Sequence, residues 1–293
     1  MSFNDKYLKI KSLAAQELSI IENKMLNSID VCEPLQSHIL KFLSAPSKRI
    51  RPLLAILYQK ADNMELTEKQ LEYLAVIELV HNASLIHDDI IDESEFRRGN
   101  KTVSAEFDNK LGVISGDYIL SVAMEKAAML DSAELLKNLS ITLKQMCVGE
   151  INQNFSRFKI GTIEDYIEKS KNKTAYLFAS AIKGCLELSE KKYNLEAAED
   201  FGINTGIAFQ IRDDLRNLIN SDISKPVNND IKEGIYNAPV IYAGDVENYS
   251  TGIEKTRILL NNYIKKAIQQ IEYLPDNKYK SALREFLELL NNE

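Results

Sequence analysis

The chain has 293 residues and a formal net charge of −7. That balance excludes the broad basic face that nucleic-acid phosphates demand, so no nucleic-acid partner is expected. Small anionic substrates stay open, because a few local cations or bound metals outweigh a global charge.

Hydrophobic residues make up 45% and charged residues 27%, ordinary for a globular protein with a large core. Cys32, Cys147 and Cys185 have no paired spacing and are expected to be reduced, mostly buried thiols. His38, His81 and His87 are the only histidines, which argues against a His/Cys zinc cage. The first residues, MSFNDKYLKIKSLAAQEL, lack the apolar core of a signal peptide. No apolar run reaches the ~18 residues that mark a membrane span. A cytoplasmic protein without an integral membrane segment is expected.

Helical periodicity dominates, and Gly and Pro are few at 11 and 6. Pro46 to Pro52 reads as a basic loop. From Glu65 to Arg97, the residues Leu71, Leu74, Val76, Ile77, Val80, Leu85 and Ile86 recur at helical steps. Phe96 to Lys101 reads as a second basic loop. Further helical stretches run over Gly112–Lys137, Ala133–Phe155, Thr162–Glu187, Leu195–Ile219, Gly252–Tyr273 and Asn277–Leu290. Strand-type alternation and hairpin turn signals are absent from this reading. The polar stretch Asn220 to Pro239 has the length and character of a lid. No linker or repeat divides the chain, which predicts one all-α domain over residues 1–293.

Chemistry concentrates at two aspartate clusters. In Leu85-Ile86-His87-Asp88-Asp89-Ile90-Ile91-Asp92, helical steps put His81, Ser84, Asp88 and Asp92 on one face. Asp88 and Asp92 repel each other, and hard carboxylate oxygens without a His or Cys cluster suit Mg²⁺. A solvated acidic face is the bland alternative. Against it, the segment Val76 to Ile86 is apolar, and Arg97-Arg98 follow at once, guanidinium forks that match phosphate oxygens. A second pair, Asp213-Asp214, again ends a small, apolar helical stretch, and Gln210, Asp213, Asp214 and Asn217 share its face. Two such clusters suggest two walls of one cavity with metal between them. Ser47-Lys48-Arg49-Ile50-Arg51-Pro52 adds three cations in a loop entering a helix, a plausible diphosphate site. Lys173-Thr174 carries no meaning alone.

Between Lys48 and Ala243 these residues resemble the isoprenyl (polyprenyl) diphosphate synthase family. The landmarks come in the family's order: Lys48-Arg49-Ile50-Arg51-Pro52, His81 through Asp92, Arg97-Arg98-Gly99, Gly116-Asp117-Tyr118, Gly149-Glu150-Ile151, Lys173-Thr174, Phe209-Gln210 with Asp213-Asp214, and Lys225-Pro226. The catalytic component of long-chain, heptaprenyl-type synthases is the nearest resemblance. There are departures: Asn217 stands where a third Asp is usual, Ile235 where a lysine is usual, and Pro46-Ser47 replaces a glycine pair.

The resemblance implies an antiparallel helical bundle around a central cavity, and condensation of isopentenyl diphosphate with an allylic diphosphate. It implies three Mg²⁺ ions, with Asp88 and Asp92 binding two, Asp213 the third, and Asp214 in support. Arg97, Lys173 and Lys225 would hold the allylic diphosphate, and Lys48, Arg51, His81 and Arg98 the isopentenyl diphosphate. Lys173, Thr174 and Gln210 would face the allylic cation with oxygen dipoles. Ala83 and Ser84, one turn before Asp88, would line the product tunnel, and their small size implies a long all-trans product. Small residues that merely permit close helix packing are the alternative. A homodimer, or a heteromer with a small subunit, is implied. The competing functions are a short-chain farnesyl or geranylgeranyl synthase, a terpene cyclase, and a non-catalytic regulatory subunit. The basic loop speaks against the cyclase, and the intact Asp88-Asp89-Asp92 set against the regulatory subunit.

Overall fold

The computed structural model describes residues 3–219 and 229–291. Four helices precede the first aspartate cluster: α1 (Phe3–Ser12), α2 (Ala15–Leu26), α3 (Leu35–Ser44) and α4 (Ile50–Ala61). The long α5 (Glu68–Ile91) follows. Thr67 caps it: its hydroxyl accepts from the Gln70 N–H, and the Gln70 side chain accepts from the Thr67 N–H. Residues 71, 73–80, 83 and 86 of α5 are buried, on all sides of the helix, as befits one enclosed by others. The helix stops at Ile91, short of the Arg97 read from periodicity, and Glu93 beyond it has a positive φ of 48°.

Phe96 to Lys101 is not a plain loop. Strands β1 (Phe96–Arg97) and β2 (Asn100–Lys101) pair antiparallel, with Phe96 opposite Lys101 and Arg97 opposite Asn100. Arg98 and Gly99 both have positive φ, 51° and 78°, the backbone a tight two-residue turn needs. Two residues per strand are too few for any alternation to show in the sequence.

The remaining helices are α6 (Val103–Glu106), α7 (Asn109–Ala128), α8 (Ala133–Phe155), α9 (Ile163–Ser170), α10 (Tyr176–Glu187), α11 (Leu195–Ile219), α12 (Asn229–Lys232), α13 (Ala238–Ala243), α14 (Ser250–Gln269) and α15 (Lys278–Leu289). The helical stretch expected to run to Lys137 instead ends at Ala128, and Ser132 caps a new helix by accepting from the Leu135 N–H. α8 and α11 have the expected bounds. α7 lies along α5, and α10 is enclosed by α4, α5, α8 and α11. One hydrophobic core runs from Tyr7 to Leu290 through these contacts. No described helix is long and apolar enough to cross a membrane. Cys185 is buried, but Cys32 and Cys147 are exposed, against the expectation of mostly buried thiols.

The stretch Thr162–Glu187 is continuous yet not uniformly α. Lys171–Ala175 forms a π-helical turn between α9 and α10. Such a turn inserts a residue into the ladder and is found at functional sites. Two glycines grip it from opposite sides. A Cβ on Gly149 of α8 would stand 2.8 Å from the Lys173 nitrogen, and one on Gly206 of α11 would stand 2.5 Å from the Ala175 Cα. Both obstacles are backbone, so neither can swing aside.

Gly149→Ala is therefore expected to destabilise the protein by about 1–3 kcal/mol through overpacking. Gly161→Ala meets only ordinary contacts at 3.5 Å and beyond and is expected to be nearly neutral. Thermal denaturation of the two variants side by side checks this; equal melting temperatures would show that the π turn does not depend on the close approach.

Candidate active site

The ends of α5 and α11, the π turn, α9 and the segment from Asp230 to Asn237 enclose a cavity of about 270 Å³. Asp92 lines it from α5, and Gln210, Asp214 and Asn217 from α11. Lys169 from α9, and Lys173 and Thr174 from the π turn, line it along the continuous rod that runs from α9 into α10. The two aspartate clusters thus reach one cavity from two buried helices, with lysines beside them.

Burial dominates the electrostatics. It pushes the Asp88 carboxyl up to about 6, with Glu150 and Asp92 adding repulsion and Lys173 opposing. Asp92 is raised by burial and by Glu150, against Lys173 and Arg97. Asp214 is also pushed up to about 6 by burial, against Lys169 and two hydrogen bonds. The Tyr166 hydroxyl donates to its Oδ2 at 2.6 Å, and the Gln210 amide donates to its Oδ1 at 2.9 Å. The Thr174 hydroxyl in turn donates to Gln210 Oε1 at 2.8 Å. Gln210 is fixed in one orientation by this chain.

Lys173 sits 2.5 Å from Glu150 and is raised by Asp88 and Glu150 against the cost of burial. Asp213 is the more open member of its pair, with its side chain 45% exposed against 4% for Asp214. It faces Lys48, whose charge it supports. Arg97 Nε donates to Asp89 Oδ1 at 2.5 Å, and its field reaches Asp88 and Asp92.

The basic loop divides its charges. Arg49 turns inward: it is buried, adopts φ 53°, pairs with Glu78 at 2.9 Å and donates to the Leu43 carbonyl at 2.7 Å. The left-handed turn at Arg49 thus fastens the loop to α5. Arg51 lies over the Phe178 ring at 4.8 Å. Arg98 approaches Asn82 Oδ1 at 3.5 Å and the Phe42 ring at 5.9 Å. His81 is held well below its ordinary value by burial, then by Arg51, Arg98, Arg49 and Arg97. A neutral imidazole among guanidinium groups makes a second, cationic patch next to the acidic walls.

Ala83 is buried in the core at 2% exposure, and the half-buried Ser84 donates its hydroxyl to the His81 carbonyl. Neither lines the cavity. Lys225 lies outside the described residues. No motif in the sequence marks Lys169, Asp230, Glu233 and Asn237 as site residues, and Glu150 stands out only within the Gly149-Glu150-Ile151 landmark. Lys169 donates to Asn237 Oδ1 at 3.3 Å, and Asn237 donates to Asp230 Oδ2 at 2.9 Å. Asp230 and Glu233 line the same cavity as Asn217, so carboxylates return to the wall where the second aspartate cluster ends in an amide. Lys169 had a signal, one helical turn before Lys173; Asp230, Glu233 and Asn237 come from a distant segment.

A family model for polyprenyl synthetase matches residues 32–276. The chain belongs to the polyprenyl synthetase family. It is 33% identical to a prenyl transferase of Cyanophora paradoxa, covering 92% of this chain and 93% of that protein. It is 31% identical to the chloroplastic solanesyl diphosphate synthase 1 of Arabidopsis thaliana, covering 94% and 76%. A crystal structure of a Rhodobacter capsulatus decaprenyl diphosphate synthase superposes with a TM-score of 0.89 at 23% identity, over 97% of this chain and 98% of that one. The polyprenyl synthetase described here has the all-helical isoprenoid synthase fold and is a trans-prenyltransferase.

The raised carboxyls have a measurable consequence in metal-free buffer. A carboxyl whose folded value lies above its unfolded one costs stability above the folded value, and the cost fades as pH falls towards the unfolded value. For Asp88 the window runs from about 6 down to its ordinary 3.8. Asp88→Asn is therefore expected to melt higher than the wild type at pH 7 in EDTA, with the gap closing as pH falls through that window. Thermal melts across the pH range check it; a pH-independent gap would remove Asp88 as the cause.

Proposed function

We propose that this polyprenyl synthetase joins isopentenyl diphosphate to an allylic diphosphate and makes a long all-trans polyprenyl diphosphate. The observation that carries the reading is the pair of acidic walls on one cavity, with a separate guanidinium patch beside them. One site suits a metal-bound diphosphate and the other a diphosphate held by cations alone.

Mg²⁺ fits the acidic walls. Their donors are hard oxygens, and burial makes their negative charge costly without a cation. Among the described residues no three acidic, His or Cys side chains converge into a metal site of their own. The remaining ligands would then come from water and the substrate's phosphates, as is usual for this ion. Asp88, Asp92, Asp213 and Asp214 would hold Mg²⁺, three ions by family resemblance. When bound, the ions stabilise the negative charge of the departing diphosphate.

The protein's own residues do the rest. Lys173, with Arg97 and Lys225, steadies the allylic diphosphate. The Lys173 carbonyl, Thr174 and Gln210 present oxygen dipoles to the allylic cation that forms when the C1–O bond breaks. Lys48, Arg51, His81 and Arg98 hold isopentenyl diphosphate, whose double bond attacks that cation. The proton lost in the last step goes to the departing diphosphate. No side-chain nucleophile is required.

Ala83 and Ser84 set product length by leaving the path below Asp88 free of bulk. Relatives bearing solanesyl, decaprenyl and heptaprenyl diphosphate synthase names support a long product. We take the chain as one domain acting in the cytoplasm as a homodimer. A small partner subunit is the alternative raised by its 28% identity to heptaprenyl diphosphate synthase component 2 of Bacillus subtilis.

Incubation with farnesyl diphosphate, labelled isopentenyl diphosphate and Mg²⁺, followed by chromatography, tests the reading. Asp88→Ala is expected to lower turnover by about 100-fold or more while the fold persists. Full activity in EDTA would overturn the metal assignment. Asn217→Asp should keep activity and strengthen the response to Mg²⁺; a folded but dead variant would remove this face of α11 from metal binding.

Ala83→Phe separates tunnel from core. A tunnel residue yields a folded enzyme with products cut to about three or four isoprene units, since the ring lies one helical turn from the anchored end. A purely packed residue instead costs about 1–3 kcal/mol and leaves product length unchanged.

A further inference from the structure

The backbone of the basic loop is held from the start of the chain. Pro46 to Arg49 lies between α3 and α4 and is not helical, so its carbonyls must find donors elsewhere. Two successive carbonyls find them on α1. The Tyr7 hydroxyl donates to the Lys48 carbonyl, and Lys11 Nζ donates to the Ser47 carbonyl at 2.9 Å. Tyr7 and Lys11 are four residues apart, so both reach the loop from one side of the helix. α1 lies ahead of residues 32–276, the stretch that the family model matches.

α1 is itself firmly seated. Tyr7 and Ile10 are buried in the core, and the Tyr7 ring meets the Phe286 ring of α15 at 6.5 Å. α15 in turn packs on α4, whose first turn carries Arg51. From α5, Glu78 ties down Arg49, which also donates to the Leu43 carbonyl. Lys11 stands in the field of that pair: burial lowers its ammonium from the ordinary value, Arg49 repels it, and Glu22 and Glu78 support it.

The loop is thereby pinned on both sides of Lys48. A side chain presents its charge at a fixed place only when its backbone is fixed. We propose that α1 is a clasp on the basic loop, with Tyr7 and Lys11 as positioning residues that set Lys48 and Arg51 for isopentenyl diphosphate. Tyr7 and Lys11 act through the loop and do not touch the substrate. The proposal rests on the function proposed above.

The test compares full-length Tyr7→Phe, Lys11→Met and Lys11→Arg enzymes with the wild type. Tyr7→Phe keeps the buried ring and removes the donor; Lys11→Arg keeps a donor that Lys11→Met lacks. Ile10→Val, a packing change on the same helix, is the control. Limited trypsin digestion reads the loop at the bonds after Lys48 and Arg49, with those after Arg97 and Arg98 as internal reference. Steady-state kinetics read kcat and the KM values for isopentenyl diphosphate and farnesyl diphosphate. Tyr7→Phe and Lys11→Met are each expected to raise loop cleavage and the KM for isopentenyl diphosphate about fivefold, the worth of one hydrogen bond. The KM for farnesyl diphosphate, kcat and cleavage after Arg97 and Arg98 stay at wild-type values. Lys11→Arg restores both readings, and Ile10→Val lowers only the melting temperature.

Unchanged loop cleavage overturns the proposal. So does faster cleavage with an unchanged KM, which makes the contact structural alone. An equal rise in both KM values, or an Ile10→Val enzyme that matches Tyr7→Phe, also overturns it, since either means general loosening. Should Tyr7→Phe not fold, Lys11→Met, at a half-buried side chain, carries the same test. A wild type that incorporates no isopentenyl diphosphate sinks the proposed function and the substrate role of the clasp with it. That failure shows in the wild type, whereas failure of the clasp shows only in the variants.

Discussion

The structure turns on keeping carboxylates out of water at the ends of two buried helices. An apolar helix that ends in acid pays a desolvation cost that residues within the helix relieve only in part, as Gln210 does for Asp214. Asp88 and Asp214 both sit near 6 for this reason. The fold answers part of the cost with Lys169 and Lys173, placed between the walls by the rod from Ile163 to Glu187. Under the proposed function, the rest of the cost would be met by a cation and a phosphate.

Placing Lys173 depends on backbone geometry more than on charge. The π turn widens the rod at Lys171–Ala175, and only residues without a Cβ let α8 and α11 close on it. That approach brings Thr174 to Gln210, which donates to Asp214 one turn further along α11. A hydrogen-bonded chain thus runs from the π turn to a carboxylate of the cavity wall. It holds polar oxygens at fixed positions in a cavity where loosely held dipoles would reorganise at every turnover.

The cationic side is built on a different device. Arg49 is spent on structure, since its buried pair with Glu78 anchors the loop, and breaking such a pair costs about 3–5 kcal/mol. Arg51 and Arg98 rest against aromatic rings, and His81 stays neutral among them. An imidazole that is not charged adds a hydrogen-bonding group without adding repulsion. Under the proposed function, one diphosphate site would work through carboxylates and metal and the other through guanidinium groups, and the two substrates would be told apart by what neutralises them.

Helical period and composition alone determined the all-α class and the exact extents of α8 and α11. The spacing of Asp88 and Asp92 placed them on one face, because side chains four apart on a helix must stack. The order of motifs pointed to the family. Tertiary structure decided what local spacing cannot encode. It separated Arg49 from Lys48 and Arg51, because a left-handed turn and a buried partner 29 residues on are invisible to a local reading. It made a hairpin of Phe96 to Lys101, where two residues per strand carry no period. It set Asp214 rather than Asp213 in the cavity wall, because rotation of a buried helix is fixed by its neighbours. It also brought Asp230, Glu233 and Asn237 to the face of Asn217, since contacts between distant segments are settled only when the core closes around them.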